Sequence, residues 1–170
     1  DIVWSGRRHV MMGATQIDQY GNQNIAAIGD YKKPKAQLLG LRGSPGNLIN
    51  HRTSYWVPNH SQRSFVSKVD IVSGPGYDRM RTLRQPDNRF HDVHRVVSNL
   101  GVFDFETPEN RMRIRSIHPG VEMNEVIENT SFELIIPVDV DMTRVPDEEE
   151  LRIIDIIDPT GMRYQEVSGA

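Results

Sequence analysis

Residues 40–50 read GLRGSPGNLIN, and the rest of the chain is organised around this stretch. Three glycines and one proline fall between Gly40 and Gly46, with apolar residues on both sides. Glycine weakens regular secondary structure and proline removes a backbone donor, so the pattern predicts a sharp irregular turn instead of a helix or strand. Backbone N–H groups in such a turn lack ladder partners, and successive free N–H groups form anion-binding nests. An ordinary surface turn is the alternative interpretation.

Composition indicates one globular domain with a core of its own. The chain has 170 residues, of which 37% are hydrophobic and 25% are charged, and its mean hydropathy of −0.52 argues against membrane spans. A net charge of −3 gives no basis for bulk binding of nucleic acid. Absence of cysteine excludes disulfides, a thiol nucleophile and a cysteine-based zinc site. We expect a cytoplasmic protein, and because the chain begins at Asp1 without Met, we expect a further part upstream.

Hydrophobic patterning predicts many short strands with helices between them and at the end, which is typical of an α/β domain. A hairpin is expected around Gly21 and Asn22, because glycine and asparagine adopt the positive φ that tight turns need. The predicted strands are residues 8–17, 25–28, 37–41, 65–73, 93–100, 102–105 and 112–117. Residues 79–92 are predicted to form a long loop.

Two helices are predicted in the last third of the chain. Residues 123–130 follow a Pro-Gly turn, and Val126 and Ile127 are expected to face the core. The last helix begins after Pro146, has acids at its start, and repeats Leu151, Ile154 and Ile157 before Asp158-Pro159 ends it.

Four stretches, in this order, together resemble the β half of family I coenzyme A transferases. They are residues 12–24 (MGATQIDQYGNQN), residues 40–48 (GLRGSPGNL), residues 95–104 (RVVSNLGVFD) and residues 118–132 (HPGVEMNEVIENTSF). The second resembles the GxGG loop of the family, and the fourth resembles its closing Pro-Gly-Val and acidic helix. Together the stretches cover nearly the whole chain.

The resemblance implies a fold and a setting. The fold is an open, mostly parallel sheet flanked by helices, of the NagB/RpiA-like type. Residues 1–170 are expected to form a single domain that is the C-terminal part of a β subunit. The expected partner is the α subunit of the same enzyme, in an α2β2 assembly, and the expected substrate is a coenzyme A thioester with no permanently bound cofactor.

Two reactions and one non-catalytic role remain open within the family. Residues 47–63 (NLINHRTSYWVPNHSQR) are similar to the β subunits of steroid ring-opening hydrolases, which favours hydrolytic opening of a carbon–carbon bond. The other reaction is that of glutaconate-type transferases, in which a glutamate attacks the thioester. That glutamate belongs to a glycine-rich motif upstream of every matched stretch, so the nucleophile is not expected in this chain. The third interpretation is a scaffold subunit whose partner performs the chemistry.

Position by position, the last glycine of the GxGG loop falls on Gly43. The resemblance implies that the backbone N–H groups of Gly43 and Ser44 stabilise the oxyanion that develops at the reacting carbonyl. Arg42 stands where the family has glycine, and Pro45 resembles an insertion, so the geometry of the loop is expected to differ from that of the family. Without the resemblance, the sequence around Gly43 predicts only a turn.

Residues beside the loop are the candidates for substrate binding. Arg42 offers a guanidinium that suits a carboxylate or a phosphate, or an acid of the partner subunit. If the loop opens a short helix, Asn47 and Asn50 share one face; a capping and a turn asparagine are the alternative. The remaining candidates are Gly46, Ser54 and Tyr55.

No metal site is expected. His91 and His94 are close in sequence, but zinc needs three or four ligands, and the other four histidines are scattered.

Overall fold

A computed structural model describes residues 2–165. Ten strands are distributed over one large sheet and two small hairpins. In chain order they are β1 (His9–Gly13), β2 (Gln16–Ile17), β3 (Gln23–Asn24), β4 (Ala27–Ile28), β5 (Ala36–Gln37), β6 (Arg52–Val57), β7 (Asp92–Ser98), β8 (Gly101–Asp104), β9 (Arg113–Ile117) and β10 (Asp141–Met142). The helices are α1 (Ser44–Asn50), α2 (Tyr77–Met80), α3 (Met123–Glu128) and α4 (Glu148–Ile157), with short 3₁₀ turns at Ile2–Trp4 and Met162–Gln165.

The large sheet is mixed and mostly parallel, which confirms the predicted fold class. Its strand order is β1-β6-β7-β8-β9-β10. The pairs β1–β6, β6–β7 and β9–β10 are parallel. The pairs β7–β8 and β8–β9 are antiparallel. The small hairpins, β2–β3 and β4–β5, follow β1 and lead the chain towards α1.

One hydrophobic core joins the sheet to α1 and α3. Tyr55, Phe103 and Ile114 on the strands are fully buried, and they share the core with Leu48 of α1 and Val126 of α3. Burial of each such side chain stabilises the fold by about 1.5–3 kcal/mol relative to exposure. This packing fixes α1 against the parallel half of the sheet.

The prediction that residues 40–50 contain no regular structure is wrong. Ser44–Asn50 form α1, with Gly43 as its N-cap and Pro45 in the first turn. Proline is tolerated there because the first N–H groups of a helix have no intrahelical acceptor, and its fixed φ suits the helix. Leu48, only 1% exposed, anchors the short helix to the core and offsets the low helix propensity of Gly46.

Strand predictions are corrected at three places. The turn at Gly21 and Asn22 is confirmed, but β2 and β3 form the hairpin, because the predicted strand 8–17 divides into β1 and β2. Residues 65–73 form no strand: Phe65 makes one isolated bridge to Ile17. A side chain, instead of a neighbouring strand, accepts a backbone hydrogen bond in this segment: the N–H of Asp70 donates to Gln16 Oε1 at 3.0 Å. The predicted strand 37–41 is reduced to β5 at Ala36–Gln37.

The predictions for the second half of the chain are largely confirmed. β7, β8 and β9 lie where the sequence predicts strands, and α3 and α4 where it predicts helices. Val126 faces the core as expected, but Ile127 is 43% exposed and does not. α4 is capped by Asp147, yet none of its residues is buried within the described chain.

No helix between residues 2 and 165 has both the length and the apolar character needed to span a membrane.

Candidate functional site

The carboxyl ends of β1, β6 and β7 meet at one edge of the sheet, where ligands bind in open α/β sheets. α1 lies in the connection between β1 and β6, so its first turn returns to this edge. A side-chain relay ties the helix to the strand end. The Ser44 hydroxyl donates to Gln23 Oε1, and Gln23 Nε2 donates to the carbonyl of Gly13 at 2.5 Å. The glycine-rich stretch is thereby fixed beside the end of β1.

Gly43 has an ordinary backbone conformation, with φ −105° and ψ −18°. A side chain at this position would meet only Asn47 Nδ2, at 3.8 Å from an ideal Cβ. The chain itself therefore does not require glycine at position 43 for folding. The space above the backbone is open, which leaves room for a ligand to approach closely.

The first turn of α1 begins with amides that make no hydrogen bond to a protein acceptor within residues 2–165. Among the residues that the structure describes, the N–H groups of Gly43 and Ser44 have no hydrogen-bond acceptor, and Pro45 has no N–H. The expectation that the amides of the whole stretch are free holds only in part, because the N–H of Gly40 donates to the carbonyl of Ile25 and the helix uses the amides from Asn47 onward.

Arg42 and Asn47 flank these amides. Arg42 is exposed, and within residues 2–165 its side chain makes no hydrogen bond or ion pair. Asn47 is half-buried, and its amide lies next to the backbone of Gly43. Gly46 has open space where a Cβ would stand. These three candidates are brought together with Gly43 and Ser44.

Asn50, Ser54 and Tyr55 are not brought to the same place. Asn50 ends α1, about 10 Å along the helix axis from its start, and its Nδ2 donates to the carbonyl of Gly46 at 2.7 Å. Ser54 is 2% exposed and its hydroxyl lies 2.9 Å from His9 Nε2. Tyr55 is fully buried in the core, where burial raises the pKa of its phenol well above 10.0. Ser54 and Tyr55 are therefore buried in the described chain and are not brought together with Gly43 and Ser44.

An open cleft of about 670 Å³ lies at the same edge of the sheet. Ala14 and Gln16 line it from the end of β1, Val57 and Asn59 from the end of β6, and Arg63 from the following loop. The cleft was not predicted, because it is formed by chain segments that only the parallel pairing of β1 and β6 brings together. Within the described chain, no aspartate, glutamate or histidine lines it.

His60 holds the loop that forms the floor of this cleft. Its Nδ1 lies 2.9 Å from Ser98 Oγ, and its Nε2 lies 3.0 Å from Thr130 Oγ1. Its ring stacks on Phe65 with the centroids 3.5 Å apart. Burial lowers the pKa of His60 from 6.5 to about 3, so the ring is neutral at physiological pH. The loop is thus fixed both to the end of β7 and to the segment after α3.

Within the described chain, the first turn of α1 brings backbone donors without a protein acceptor close to the exposed Arg42. In the described part of the chain, no group of three or more histidine, aspartate or glutamate side chains is arranged to hold a metal ion. His91 and His94 make separate contacts: His91 Nε2 donates to the carbonyl of Pro75 at 2.9 Å, and the ring of His94 meets that of His9 edge-on. Backbone donors beside an exposed guanidinium are suited to binding a group that carries negative charge.

Comparison with known proteins identifies relatives of this chain. The family model for coenzyme A transferase matches residues 4–129. The cholesterol ring-cleaving hydrolase IpdB subunit of Rhodococcus jostii (strain RHA1) is 54% identical over 169 residues, which cover 99% of this chain and 66% of that protein. A glutaconate CoA-transferase subunit of Acidaminococcus fermentans is 31% identical over 158 residues, which cover 91% of this chain and 59% of that protein.

The fold agrees with the same relationship. The crystal structure of Rhodococcus jostii RHA1 IpdAB matches with a TM-score of 0.91 at 54% identity, over 98% of this chain and 67% of that one. This chain therefore spans about two thirds of the length of such relatives. Both the family match and the identities above 30% lead to one conclusion: the chain belongs to the coenzyme A transferase family.

Proposed function

We propose that this chain is the β subunit of a coenzyme A-dependent hydrolase that opens a carbon–carbon ring bond in a steroid-degradation intermediate carried as a coenzyme A thioester. The observation that carries the proposal is the 54% identity to the IpdB subunit of a cholesterol ring-cleaving hydrolase, against 31% to a glutaconate CoA-transferase subunit. The coenzyme A thioester is the substrate, and no permanently bound cofactor is proposed.

The first turn of α1 supplies the chemistry that the proposal needs. Hydrolytic ring opening begins when water adds to a ring ketone, which places negative charge on the ketone oxygen. The free N–H groups of Gly43 and Ser44 are proposed to stabilise that oxyanion, and one such donor is worth about 3–4 kcal/mol of barrier. The carbon–carbon bond then breaks, the carbonyl carbon becomes a carboxylate, and the departing carbon takes a proton.

Substrate contacts are proposed for the residues that lie beside this turn. Arg42 is an exposed guanidinium that suits a carboxylate or a phosphate of the substrate. Asn47 and the open backbone at Gly46 complete the proposed contact surface. Asn50, Ser54 and Tyr55 are left out of the proposed site because they lie at the far end of α1 or inside the core.

The activating acid or base is proposed to come from an α subunit, in a cytoplasmic α2β2 enzyme. Two observations support a partner: the described lining of the cleft contains no acid, and α4 exposes a row of large apolar side chains. Leu151, Ile156 and Ile157 are 48%, 64% and 77% exposed, as expected of an interaction surface. Residues 1–170 are proposed to be the C-terminal domain of the β subunit.

A transferase and a scaffold subunit are the alternatives. In a transferase, a glutamate upstream of the matched stretches attacks the thioester, and coenzyme A passes to another carboxylic acid without loss of a carbon–carbon bond. In a scaffold, the partner retains full activity without this chain. Their products and requirements differ, so a single assay separates the three functions.

The test is product analysis in water enriched in ¹⁸O. The complex is incubated with a coenzyme A thioester that bears a ring ketone, with acetate present as an acceptor acid. A hydrolase yields a ring-opened product that is one water heavier, retains coenzyme A and carries one ¹⁸O in its new carboxylate. Acetyl-coenzyme A and an intact ring would indicate a transferase, and undiminished activity of the α subunit alone would indicate a scaffold; either result contradicts the proposal.

A trapping experiment provides the control. The complex is treated with the thioester and then with hydroxylamine or borohydride, which modify a glutamate that has formed a mixed anhydride with the acyl group. No glutamate between residues 1 and 170 is expected to be labelled, because none lines the described cleft. A labelled peptide from this chain would contradict the assignment of its role.

A further inference from the structure

A second cavity lies at the opposite edge of the sheet, where β1, β6 and β7 begin. Its volume is about 470 Å³. Four arginines line it: Arg7, Arg8, Arg52 and Arg89. They come from three separate parts of the sequence, and the register that pairs His9 with Arg52 and Arg52 with Asp92 brings those parts side by side.

This cavity carries an excess of positive charge in a chain whose net charge is −3. Among the described residues that line it, Asp92 is the single carboxylate, and Arg52 Nε binds it at 2.7 Å. Within residues 2–165, the guanidinium groups of Arg7, Arg8 and Arg89 form no salt bridge. Three guanidiniums without a counter-charge around one concave space repel one another, and an anion between them relieves that repulsion.

The walls of the cavity are held by specific contacts. Gly6 has φ +69°, and the ring of Phe90 lies where a Cβ of residue 6 would stand, so the segment before β1 packs directly on the segment before β7. The guanidinium of Arg89 stacks over the Phe90 ring, 4.6 Å from its centroid. His9, on the cavity wall, is fixed by the 2.9 Å contact of its Nε2 with Ser54 Oγ. These contacts fix the backbone segments that carry the arginines, whose side chains are exposed.

We propose that this cavity is a binding site for a phosphate group of a small molecule. Arginine presents paired N–H donors that match phosphate oxygens, and several arginines around one space suit a compact dianion better than an extended acidic peptide. The phosphate is either free or the phosphomonoester of a nucleotide. The site is separate from the first turn of α1, because it lies at the amino ends of strands whose carboxyl ends adjoin that turn.

The test measures binding directly and does not depend on turnover. Inorganic phosphate is titrated into the purified protein, with any subunit that copurifies still bound, by calorimetry at low and at moderate salt. We expect saturable binding that weakens as salt rises. Arg8→Gln and Arg89→Gln are expected to weaken it by about 10-fold each, since each removes a charge-assisted contact. Arg84→Gln, at an exposed arginine outside the cavity lining, is the matched control and is expected to change the affinity by less than about 2-fold.

Asp92→Asn is expected to change the phosphate affinity in the opposite direction. It therefore distinguishes an effect of charge from a loss of affinity caused by a damaged fold. Loss of the one carboxylate in the cavity is expected to strengthen phosphate binding by about 3-fold or more, because it removes repulsion and releases Arg52. Adenosine 3′,5′-bisphosphate in place of phosphate identifies the source: tighter binding than phosphate supports a nucleotide, and equal binding supports free phosphate. No saturable binding, equal loss in Arg84→Gln, or binding that is absent whenever a partner subunit covers the arginines would overturn the proposal.

Discussion

Acid should loosen the floor of the cleft through His60, and the size of the effect follows from its burial. The folded protein holds this ring neutral down to about pH 3, whereas the unfolded chain takes up a proton near its ordinary pKa of 6.5. Between these values the unfolded state binds more protons, so stability falls as pH is lowered. One pH unit corresponds to about 1.4 kcal/mol, and lowering the pH from 6.5 to about 5 should cost about 2 kcal/mol.

The matching variant is His60→Gln, which cannot titrate. At pH 7 it is expected to be less stable than the natural protein, because the hydrogen bonds to Ser98 and Thr130 and the stack on Phe65 are weakened. At about pH 5 protonation of His60 in the unfolded chain lowers the free energy of unfolding of the natural protein but not that of the variant. The difference in stability between the two proteins should therefore narrow by about 2 kcal/mol. Other histidines are the same in both proteins and cancel.

Urea unfolding at pH 7, 6 and 5 measures this difference, provided that the transition is two-state. Ile114→Val is the control: it removes one buried methylene and no titrating group, and its cost of about 1 kcal/mol should be the same at each of these pH values. A difference between the natural protein and His60→Gln that does not change with pH would refute the reasoning, because the ring would then not be held neutral inside the fold.

Three further variants test contacts elsewhere in the chain. Asp104→Asn should cost about 3 kcal/mol, measured by urea unfolding, since it removes the charge from a buried carboxylate, weakens the fork from Arg113 at 2.9 and 2.8 Å, and leaves that guanidinium only its 3.3 Å contact with Glu106. Burial favours the neutral acid, but these hydrogen bonds prevail and lower the pKa of Asp104, so the natural protein should lose this stability as the pH falls below 3.8 and the variant should not. Asp147→Ala should cost about 1 kcal/mol and speed hydrogen exchange at the start of α4. Ser44→Ala leaves Gln23 Oε1 without its hydroxyl donor, and a fall of about 1 kcal/mol in urea unfolding is expected; stability equal to that of the natural protein would show that the relay does not hold α1.

Local sequence patterns predicted the elements whose stability is decided locally. β9 alternates apolar and polar residues because only one of its faces is buried, and α4 has a proline, acids and a capping residue at its start. The turn at Gly21 was evident because the residue needs a positive φ, which the structure gives as +80°.

Long-range packing decided the elements that the sequence did not reveal. β6 is the second strand of the large sheet, yet its RTSYWV pattern has no clear period, because a register shift between Thr53 and Ser54 disturbs the alternation. α1 contradicts the local propensity of glycine and proline because Leu48 is held in the core. The position of the glycine-rich stretch could be predicted from resemblance, whereas the cleft at the carboxyl ends of the strands depends on the pairing of β1 with β6.

The central claim is that the first turn of α1 acts on the reacting carbonyl, and Gly43 is the position at which it can be measured. Within the described chain, an added methyl at Gly43 meets only Asn47 Nδ2 at 3.8 Å, so the melting temperature should not change. Gly46→Ala, also in open space, serves as the stability control for a Gly→Ala change in the same turn.

The decisive measurement is kcat of the assembled enzyme with Gly43→Ala and Gly43→Val. A side chain there obstructs the approach of the substrate to the free amides, and loss of a donor that acts on the transition state lowers kcat more than it raises KM. We predict a fall in kcat of about 100-fold, with assembly and melting temperature preserved. Full activity of Gly43→Val at an unchanged melting temperature would contradict the account.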